Sequence, residues 1–312
     1  MPIRQITIIG TGLIGGSLAL GLKKSGFRGK IIGCDRADVL SKAKRLRVID
    51  RAVDDPIRAV GASDVVVLAT PVGGIISLID KLAPHLPAET LLTDVGSTKA
   101  QIAQTAQAVF GKNAGKRFLA GHPMAGKEHA GVEFADADLF RGAVWFFTPL
   151  ARQRLNTGRI AEYVACIKKL GVRTALMNPA EHDELCAWIS HVPQMISTAV
   201  ASTLVEEYGN NAPLLETGGR ALREMTRTAS SPYSMWRDVA LTNKEHIANA
   251  LLKLEQKLAQ IRESLDSRGL EQEFEQAHLL KSHSQPRHPS TTLGAGSVTQ
   301  KKRRTKATPG LS

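Results

Sequence analysis

The first half of the chain alternates short apolar runs with stretches whose apolar residues recur at helical spacing. The runs ITIIG, KIIGCD, DVVVLATP and TLLTDVG are rich in β-branched residues, and a helix-like segment follows each of them. Apolar strands separated by helices are typical of a parallel sheet covered on both faces. RFLAG, AVWFFTP and GVRTALM predict three further strands, of which the last closes this half.

The pattern changes at Asn178, where strand signals stop and helical patterns begin. NPAEHDE predicts a helix start, because a capping residue precedes a proline and acidic residues. Pro193 lies inside the following helix and is expected to kink it. We therefore predict a Rossmann-like α/β domain with a parallel sheet over residues 1–177, and an all-α domain for substrate binding and dimerisation over residues 178–283.

A later helix, predicted from about Thr242 to Leu265, has apolar residues at alternating spacings of four and three. They are Ile247, Leu251, Leu254, Leu258, Ile261 and Leu265. Nearly three heptads fit either an ordinary bundle helix or a helix that packs on another subunit. We predict a homodimer in which this seam is buried.

Composition narrows the possible partners. The net charge of the 312 residues is +12, and half of the excess lies in residues 284–312, which hold six basic and no acidic residues. This stretch is predicted to be a disordered basic tail, so we do not expect nucleic acid as a partner. The apolar runs are too short for a membrane span, and the N-terminus lacks a signal-peptide pattern. The three scattered cysteines indicate free thiols in a reducing cytoplasm and no metal site.

A glycine-rich turn, Gly10-x-Gly12-x-x-Gly15, connects the first strand to the first helix. Gly10 permits a tight turn, Gly12 leaves room for a pyrophosphate, and Gly15 lets the helix approach the strand. The N-terminus of the helix offers backbone N–H donors to phosphates. We predict a dinucleotide site that also includes Leu13 and Ile14.

Asp35 ends the second strand, 20 residues after Gly15. A carboxylate there accepts hydrogen bonds from ribose hydroxyls and repels a 2′-phosphate, which favours NAD over NADP. Arg36 follows directly, and its positive charge is expected to weaken the preference for NAD over NADP. Thr70 and Pro71, at the end of the third strand, are also assigned to the cofactor site.

His122 lies in AGHPMAGKEHAG, whose glycines and proline argue against regular helix or strand. An imidazole, with a reference pKa of about 6.5, suits a general base at neutral pH. Pro123 restricts His122 to an extended conformation, and the glycines allow the backbone to approach a nicotinamide.

Other candidates also have a simpler structural explanation. Ser97 follows the fourth strand, where ligands bind in open α/β sheets, and is also expected to cap the next helix. His191, in ISHVPQM, belongs either to the core or to the site. Three arginines near Trp236 form either a solvated basic face or a carboxylate site. They are Arg223, Arg227 and Arg237.

Five motifs, in this order, resemble the prephenate/arogenate dehydrogenase family of tyrosine biosynthesis. They are GTGLIGGSLA, DVGSTK, GHPMAGKEHAG, WISHVPQM and TRTASSPYSMWRD. The resemblance extends from about residue 3 to about residue 270. The glycine-rich motif is common to many families, whereas GHPMAG and MTRTASSPYSMW are specific.

The resemblance implies NAD-dependent oxidative decarboxylation of prephenate to 4-hydroxyphenylpyruvate. His122 would accept the proton of the C4 hydroxyl, Ser97 would hydrogen-bond that hydroxyl, and Arg227 would hold a substrate carboxylate. His191 matches the first histidine of the helical-domain motif.

Two positions depart from the family pattern. Many relatives have a second histidine where this chain has Gln194, and Arg220 stands in a stretch that is glycine-rich in relatives. Both are assigned to the substrate site, and both leave an arogenate dehydrogenase or a dual-substrate cyclohexadienyl dehydrogenase open.

Two other classes of protein remain as alternatives. A β-hydroxyacid dehydrogenase would need a glycine-flanked lysine base on the helices, which the sequence does not show. A non-catalytic dinucleotide-binding regulator would make the set Ser97, His122 and Arg227 a coincidence.

Overall fold

The computed structural model describes residues 2–150, 152–209 and 217–284. The chain forms two compact units, of which the first ends at Leu254 and the second begins at Glu255. Every residue assigned to the site lies in the first unit. Apart from Ser284, the predicted basic tail falls outside the described residues.

Eight strands form one sheet in the order β3-β2-β1-β4-β5-β6-β7-β8. They are β1 (Gln5–Ile9), β2 (Lys30–Cys34), β3 (Arg51–Val53), β4 (Val65–Leu68), β5 (Leu91–Asp94), β6 (Phe118–Pro123), β7 (Val144–Thr148) and β8 (Arg173–Leu176). All neighbours are parallel except β6 and β7. The predicted parallel sheet is thus confirmed, with one antiparallel pair and the short β3 as differences.

The helices of the first half pack on the two faces of this sheet. They are α1 (Leu13–Lys24), α2 (Ala37–Arg45), α3 (Pro56–Val60), α4 (Val72–Leu82), α5 (Ala100–Phe110), α6 (Ala114–Arg117) and α7 (Gly158–Lys168). Strand β4 is apolar along its whole length because both of its faces are covered by helices. Val65 and Val67 join the core cluster with α1 and α7, whereas Val66 and Leu68 join the cluster with α4 and α5.

The second half is helical, as predicted. Its helices are α8 (Pro179–Cys186), α9 (Val192–Tyr208), α10 (Gly219–Thr226), α11 (Tyr233–Thr242), α12 (Lys244–Glu263) and α13 (Arg268–Ser284). Asn178 and Glu181 form the capping box that starts α8. No helix of the described ranges is long and apolar enough to cross a bilayer.

Two helix boundaries differ from the sequence prediction. Pro193 lies in the first turn of α9, and a π-helical segment, Ala187–His191, precedes it. The proline therefore stands at the start of an α-helix and not inside one. The helix expected from Thr242 begins at Lys244, because Asn243 leaves helical geometry with φ −128° and ψ 28°. The Asn243 side chain then points into the protein, where it is buried.

Candidate functional site

The three glycines of the glycine-rich loop differ in the space around them. Gly10 has φ +94°, and a Cβ there would lie 2.5 Å from the carbonyl oxygen of Ala69. A Cβ on Gly15 would lie 2.0 Å from the carbonyl oxygen of Gly10, whereas a Cβ on Gly12 would meet nothing within 4 Å. The space beside Gly12 is therefore free, and the other two glycines are required by the fold itself.

The remaining predicted cofactor residues lie around this loop. Asp35 accepts hydrogen bonds from the Thr11 backbone N–H at 2.7 Å and the Arg36 backbone N–H at 2.8 Å, which ties the end of β2 to the loop. The Arg36 side chain is exposed and lies 3.6 Å from Asp38. The four others border the starts of two helices. Leu13 and Ile14 open α1, and Thr70 and Pro71 precede α4.

We expect Gly12→Val to fold normally but to raise the KM for NAD at least about tenfold, which corresponds to about 1.4 kcal/mol. The added side chain fills free space in the protein and occupies the path of the pyrophosphate. Thermal unfolding and KM measurements on the same preparation test this. Gly15→Ala is the matched control, because its Cβ collides with backbone and should lower Tm instead. A normal KM for Gly12→Val would contradict the assignment of the loop.

His122 lies on β6, contrary to the expectation that its surroundings exclude a strand. It pairs with Phe146 of the antiparallel β7, and Pro123, whose missing N–H suits a strand end, is the last residue of β6. β6 pairs with β5 only through Phe118 and Leu119, so His122 lies beyond that pairing at the carboxyl edge of the sheet. This is the edge where open α/β sheets bind ligands.

The His122 imidazole is almost fully buried, with 7% of the residue exposed. Burial holds its pKa well below the ordinary value of 6.5, and His182, Lys99 and His191 lower the pKa further. The ring is therefore neutral at pH 7, which is the form that accepts a proton.

A buried ion pair supports the strand that carries His122. The Lys99 ammonium pairs with Asp94, and both side chains are fully buried. Lys99 also donates to the carbonyl oxygen of Gly121 at 2.8 Å, and Asp94 accepts from the Gly96 backbone N–H at 2.8 Å. Burial raises the pKa of Asp94, and Lys99 opposes this effect. The pair links the turn after β5 to the residue before His122.

The structure places a second histidine against His122 that the sequence interpretation missed. Nε2 of His182 lies 3.0 Å from Nδ1 of His122, and Nδ1 of His182 lies 2.8 Å from the Asp183 carboxylate. Cys186, one turn further along α8, places its Sγ 3.4 Å from the same Nε2. His182 and Asp183 stand in NPAEHDE, which the sequence interpretation used only as a helix start.

His191 is buried and joins the same region from the π-helical segment. The Asn243 side-chain amide donates to its Nδ1 at 3.1 Å and to the Asp183 backbone carbonyl at 2.7 Å. Burial lowers the pKa of His191 to about 4, although the Asp183 carboxylate opposes the shift. The Trp236 ring packs edge-on against the imidazole, with 6.0 Å between the ring centroids. His191 is thus an inner residue beside the site rather than an exposed one.

Ser97 does not cap α5, contrary to expectation. It lies half-buried in the turn after β5, and α5 begins three residues later. The capping group is Asp183, which accepts from the backbone N–H groups of Lys99 at 2.7 Å and Ala100 at 2.8 Å. The sequence could not reveal this cap, because Asp183 is more than 80 residues away along the chain.

A second carboxylate from the helical half caps α4 in the same way. Asp238 accepts from the Gly73 backbone N–H at 2.9 Å, and the Thr98 and Thr242 hydroxyls form a hydrogen bond of 2.7 Å nearby. α8 and α11 therefore hold the carboxyl edge of the sheet through these polar contacts.

The predicted substrate-binding residues divide into two groups. Arg227 pairs with Glu128, which lies in the loop after His122, although 61% of its side chain is exposed. Gln194 is buried and donates to the Thr228 carbonyl at 2.9 Å, next to Arg227. Arg220 does not join them, because its side chain is 87% exposed and pairs with Glu224 at 2.7 Å on α10.

The two other arginines of the Ser-Pro region are exposed or paired within their own helix. Arg223 is exposed on α10. Arg237 pairs with the neighbouring Asp238 at 3.0 Å, and 56% of its side chain is exposed. Of the three arginines in this region, only Arg227 contacts the loop that carries His122.

Comparison with known proteins is consistent with this architecture. Residues 18–176 match the family described as prephenate dehydrogenase, nucleotide-binding domain, and residues 178–280 match prephenate dehydrogenase, dimerization domain. The prephenate dehydrogenase of Bacillus subtilis is 34% identical over 274 residues, 86% of this chain and 72% of its own length. That of Lactococcus lactis subsp. cremoris is 32% identical over 289 residues, 89% of this chain and 77% of its own length.

A solved structure agrees over a similar range. The prephenate dehydrogenase of Aquifex aeolicus, in complex with hydroxyphenyl propionate and NAD⁺, superposes with a TM-score of 0.78. It is 31% identical, and the match covers 91% of this chain and 96% of that one. The glycine-rich loop, the buried histidine at the sheet edge and these matches lead to one conclusion: the chain belongs to the prephenate dehydrogenase family.

Proposed function

We propose that this chain is an NAD-dependent prephenate dehydrogenase of tyrosine biosynthesis. It oxidises the C4 carbinol of prephenate, releases the ring carboxylate as CO₂ and forms 4-hydroxyphenylpyruvate. The observation that supports this most directly is a buried, neutral His122 at the sheet edge that also carries the dinucleotide loop. The names of the Bacillus subtilis and Lactococcus lactis relatives support the choice of prephenate.

The chemistry assigns His122 the part of a general base. As the C4 hydride leaves for the nicotinamide of NAD, the hydroxyl proton passes from oxygen to the imidazole. The C1–carboxylate bond of the resulting dienone then breaks, and its electron pair completes the aromatic ring. The phenolate oxygen formed at C4 takes the proton back from the imidazolium. Ser97, in the turn after β5, is the proposed hydrogen-bond partner of the C4 oxygen, and His191 is assigned to the same pocket.

Arg227 is the proposed partner of a substrate carboxylate. Its ion pair with Glu128 places a cation next to the loop of His122, and a substrate carboxylate would replace Glu128 in that pair. We expect Arg227→Ala to raise the KM for prephenate about tenfold with a smaller change in kcat, near the lower limit of about 1.5 kcal/mol for such contacts because the side chain is largely exposed.

Steady-state kinetics test this prediction, and Arg223→Ala is the matched control. Arg223 is a nearby exposed arginine on α10. Its loss should leave the KM for prephenate unchanged. If both substitutions raise the KM for prephenate equally, Arg227 contributes only positive charge and not a specific contact with the substrate.

Gln194 and Arg220 bear on the choice between prephenate and arogenate. The two amide protons of Gln194 point to the Thr228 carbonyl at 2.9 Å and the Thr198 hydroxyl at 3.3 Å, which leaves its oxygen as the free hydrogen-bonding atom. An acceptor tolerates the ammonium group of arogenate, and Arg220 is already neutralised by Glu224. The names of the Bacillus subtilis and Lactococcus lactis relatives favour prephenate as the substrate. The free oxygen of Gln194 supports measurable use of arogenate as well.

Purified protein with NAD and each substrate, followed by NADH absorbance at 340 nm, tests the function. The two kcat/KM values should lie within about 100-fold, because Gln194 carries no charge that would repel the side chain of either substrate. No NADH with either substrate, combined with turnover of a β-hydroxyacid, would favour the alternative enzyme class. NAD binding without turnover of any of these acids would favour a non-catalytic regulator.

The oligomer is proposed to be a homodimer formed by the helical half. Ile247, at the start of the predicted seam, is buried within its own chain beside Val239. Leu258 and Leu265, further along the seam, are 56% and 65% exposed, as expected for residues that await a partner. Sedimentation at micromolar concentration should give a dimer.

Free thiols at all three cysteines fit the proposed cytoplasmic location.

A further inference from the structure

Three buried side chains, His122, His182 and Asp183, lie in a row. Nδ1 of His122 meets Nε2 of His182 at 3.0 Å, and Nδ1 of His182 meets the Asp183 carboxylate at 2.8 Å. His182 and Asp183 are 0% and 1% exposed, and the Phe146 ring packs edge-on against His182. The row is therefore shielded from water, and its hydrogen bonds are hard to exchange.

The hydrogen-bond partners determine where each proton lies. Asp183 already accepts backbone N–H groups on both carboxylate oxygens, so it is an acceptor towards His182 as well. Nδ1 of His182 therefore carries the proton, and Nε2 of the same neutral ring accepts. The donor to that Nε2 must be Nδ1 of His122. This leaves the lone pair of His122 on Nε2, the nitrogen with no assigned protein partner in the row.

The neutral state of both rings follows from their surroundings. Burial lowers the pKa of His182, although Asp183 opposes the shift, and burial also lowers the pKa of His122. Each ring then has a single N–H, so the direction of both hydrogen bonds is fixed by the carboxylate at one end.

Cys186 competes for the same acceptor. Its Sγ lies 3.4 Å from Nε2 of His182, and burial raises the pKa of its thiol to about 12, so it remains a weak S–H donor. Within the described ranges, His122, His182 and Cys186 are also the one group of three whose atoms could hold a metal ion. A bound metal would exclude a proton on Nδ1 of His122, so the position of that proton separates the two possibilities.

We propose that His182, oriented by Asp183, is a positioning residue that keeps the proton of His122 on Nδ1 and thereby presents Nε2 as the base. This inference rests on the proposed role of His122. As the base gains a proton, Nδ1–H of the imidazolium donates more strongly to His182, and the Asp183 charge stabilises the new cation through that ring. No proton needs to leave His122 towards Asp183 during hydride transfer.

Two substitutions at His182 test the proposal. His182→Leu removes the acceptor, and we expect kcat for prephenate to fall about 10- to 10³-fold, with KM values for prephenate and NAD within about threefold. His182→Gln can place its amide oxygen near the position of Nε2 and should recover a substantial part of kcat. Cys186→Ala is the matched control, because it removes the other contact of Nε2 and should change kcat by less than about threefold.

Nitrogen NMR of ¹⁵N-histidine-labelled protein gives a readout that does not depend on turnover. The His122 signals are assigned by their loss in His122→Asn. In the wild type, the His122 proton should reside on Nδ1. In His182→Leu, it should move to Nε2, the tautomer that a free histidine side chain prefers, while the Cys186→Ala spectrum should keep the wild-type pattern.

The outcomes separate this inference from the proposed function. A proton on Nε2 of wild-type His122, or stoichiometric zinc in the purified protein with no proton on Nδ1, would overturn the proposal even if the enzyme is active. Full kcat in a folded His182→Leu would do the same. If His182→Leu does not fold, His182→Gln and the wild-type spectrum still decide. Normal kcat in His122→Asn would instead overturn the assignment of His122 as the base.

Discussion

His122→Asn is expected to lower kcat by about 10²–10⁴, the usual contribution of a general base. Asparagine keeps a polar group of similar size on β6 but cannot accept the C4 hydroxyl proton as hydride leaves. The KM for prephenate should change little, because ground-state binding does not require the base. Stopped-assay kinetics at saturating NAD, with circular dichroism to show that the sheet is intact, provide the measurement.

The pH profile of the wild type offers an independent check of the same base. Because burial holds the pKa of His122 below its ordinary value of 6.5, the neutral form persists into mild acid. The midpoint of the acid limb of kcat/KM should therefore lie below pH 6.5. The residual rate of His122→Asn should show no such limb. An acid limb above that pH would mean that another group titrates, or that the substrate reverses the effect of burial.

Lys99→Met is expected to destabilise the protein by about 3–5 kcal/mol, because it leaves the Asp94 carboxylate buried without its cation. The substitution also removes the donor to the Gly121 carbonyl, one residue before His122. Urea unfolding followed by fluorescence measures the change in the free energy of unfolding, with unchanged m-value as the sign of a two-state comparison.

The double variant Asp94→Asn/Lys99→Met is the control for this interpretation. Removing the charge of Asp94 as well takes away the unpaired buried carboxylate, while the asparagine oxygen can still accept one backbone N–H. The double variant should therefore be more stable than Lys99→Met alone. The single variant Asp94→Asn completes the comparison. If the double variant loses as much stability as the two single variants together, the destabilisation comes from packing of the lysine stem and not from the ion pair.

Local sequence was sufficient to identify the parts of the candidate site that a single segment of the chain forms. The roles of Gly10, Gly12 and Gly15 follow from a strand–turn–helix unit, and the space around each agrees with them. His122 was recognised as a candidate because its surroundings are rich in glycine. The predicted strand RFLAG ends at Gly121, one residue before His122, because the pairing of His122 with Phe146 depends on a segment more than 20 residues away.

The parts that depend on tertiary contacts could not be predicted from one sequence. His182 resembles any polar residue in the first turn of a helix until α8 is placed against β6. Ser97 satisfied the local preference for a cap, but Asp183, from the second half of the chain, accepts the hydrogen bond at the start of α5. Gln194 was recognised as a departure from relatives, whereas its two donor contacts are visible only in three dimensions.

The two aspartates that cap α4 and α5 have a consequence for modularity. The matched families divide the chain near residue 177, yet Asp183 and Asp238 complete two helices on the other side of that division. Each such cap contributes about 1 kcal/mol, and both lie at the edge where the ligands are proposed to bind. A nucleotide-binding half cut out at this division would lose both, so recombination between relatives would have to exchange cap and helix together.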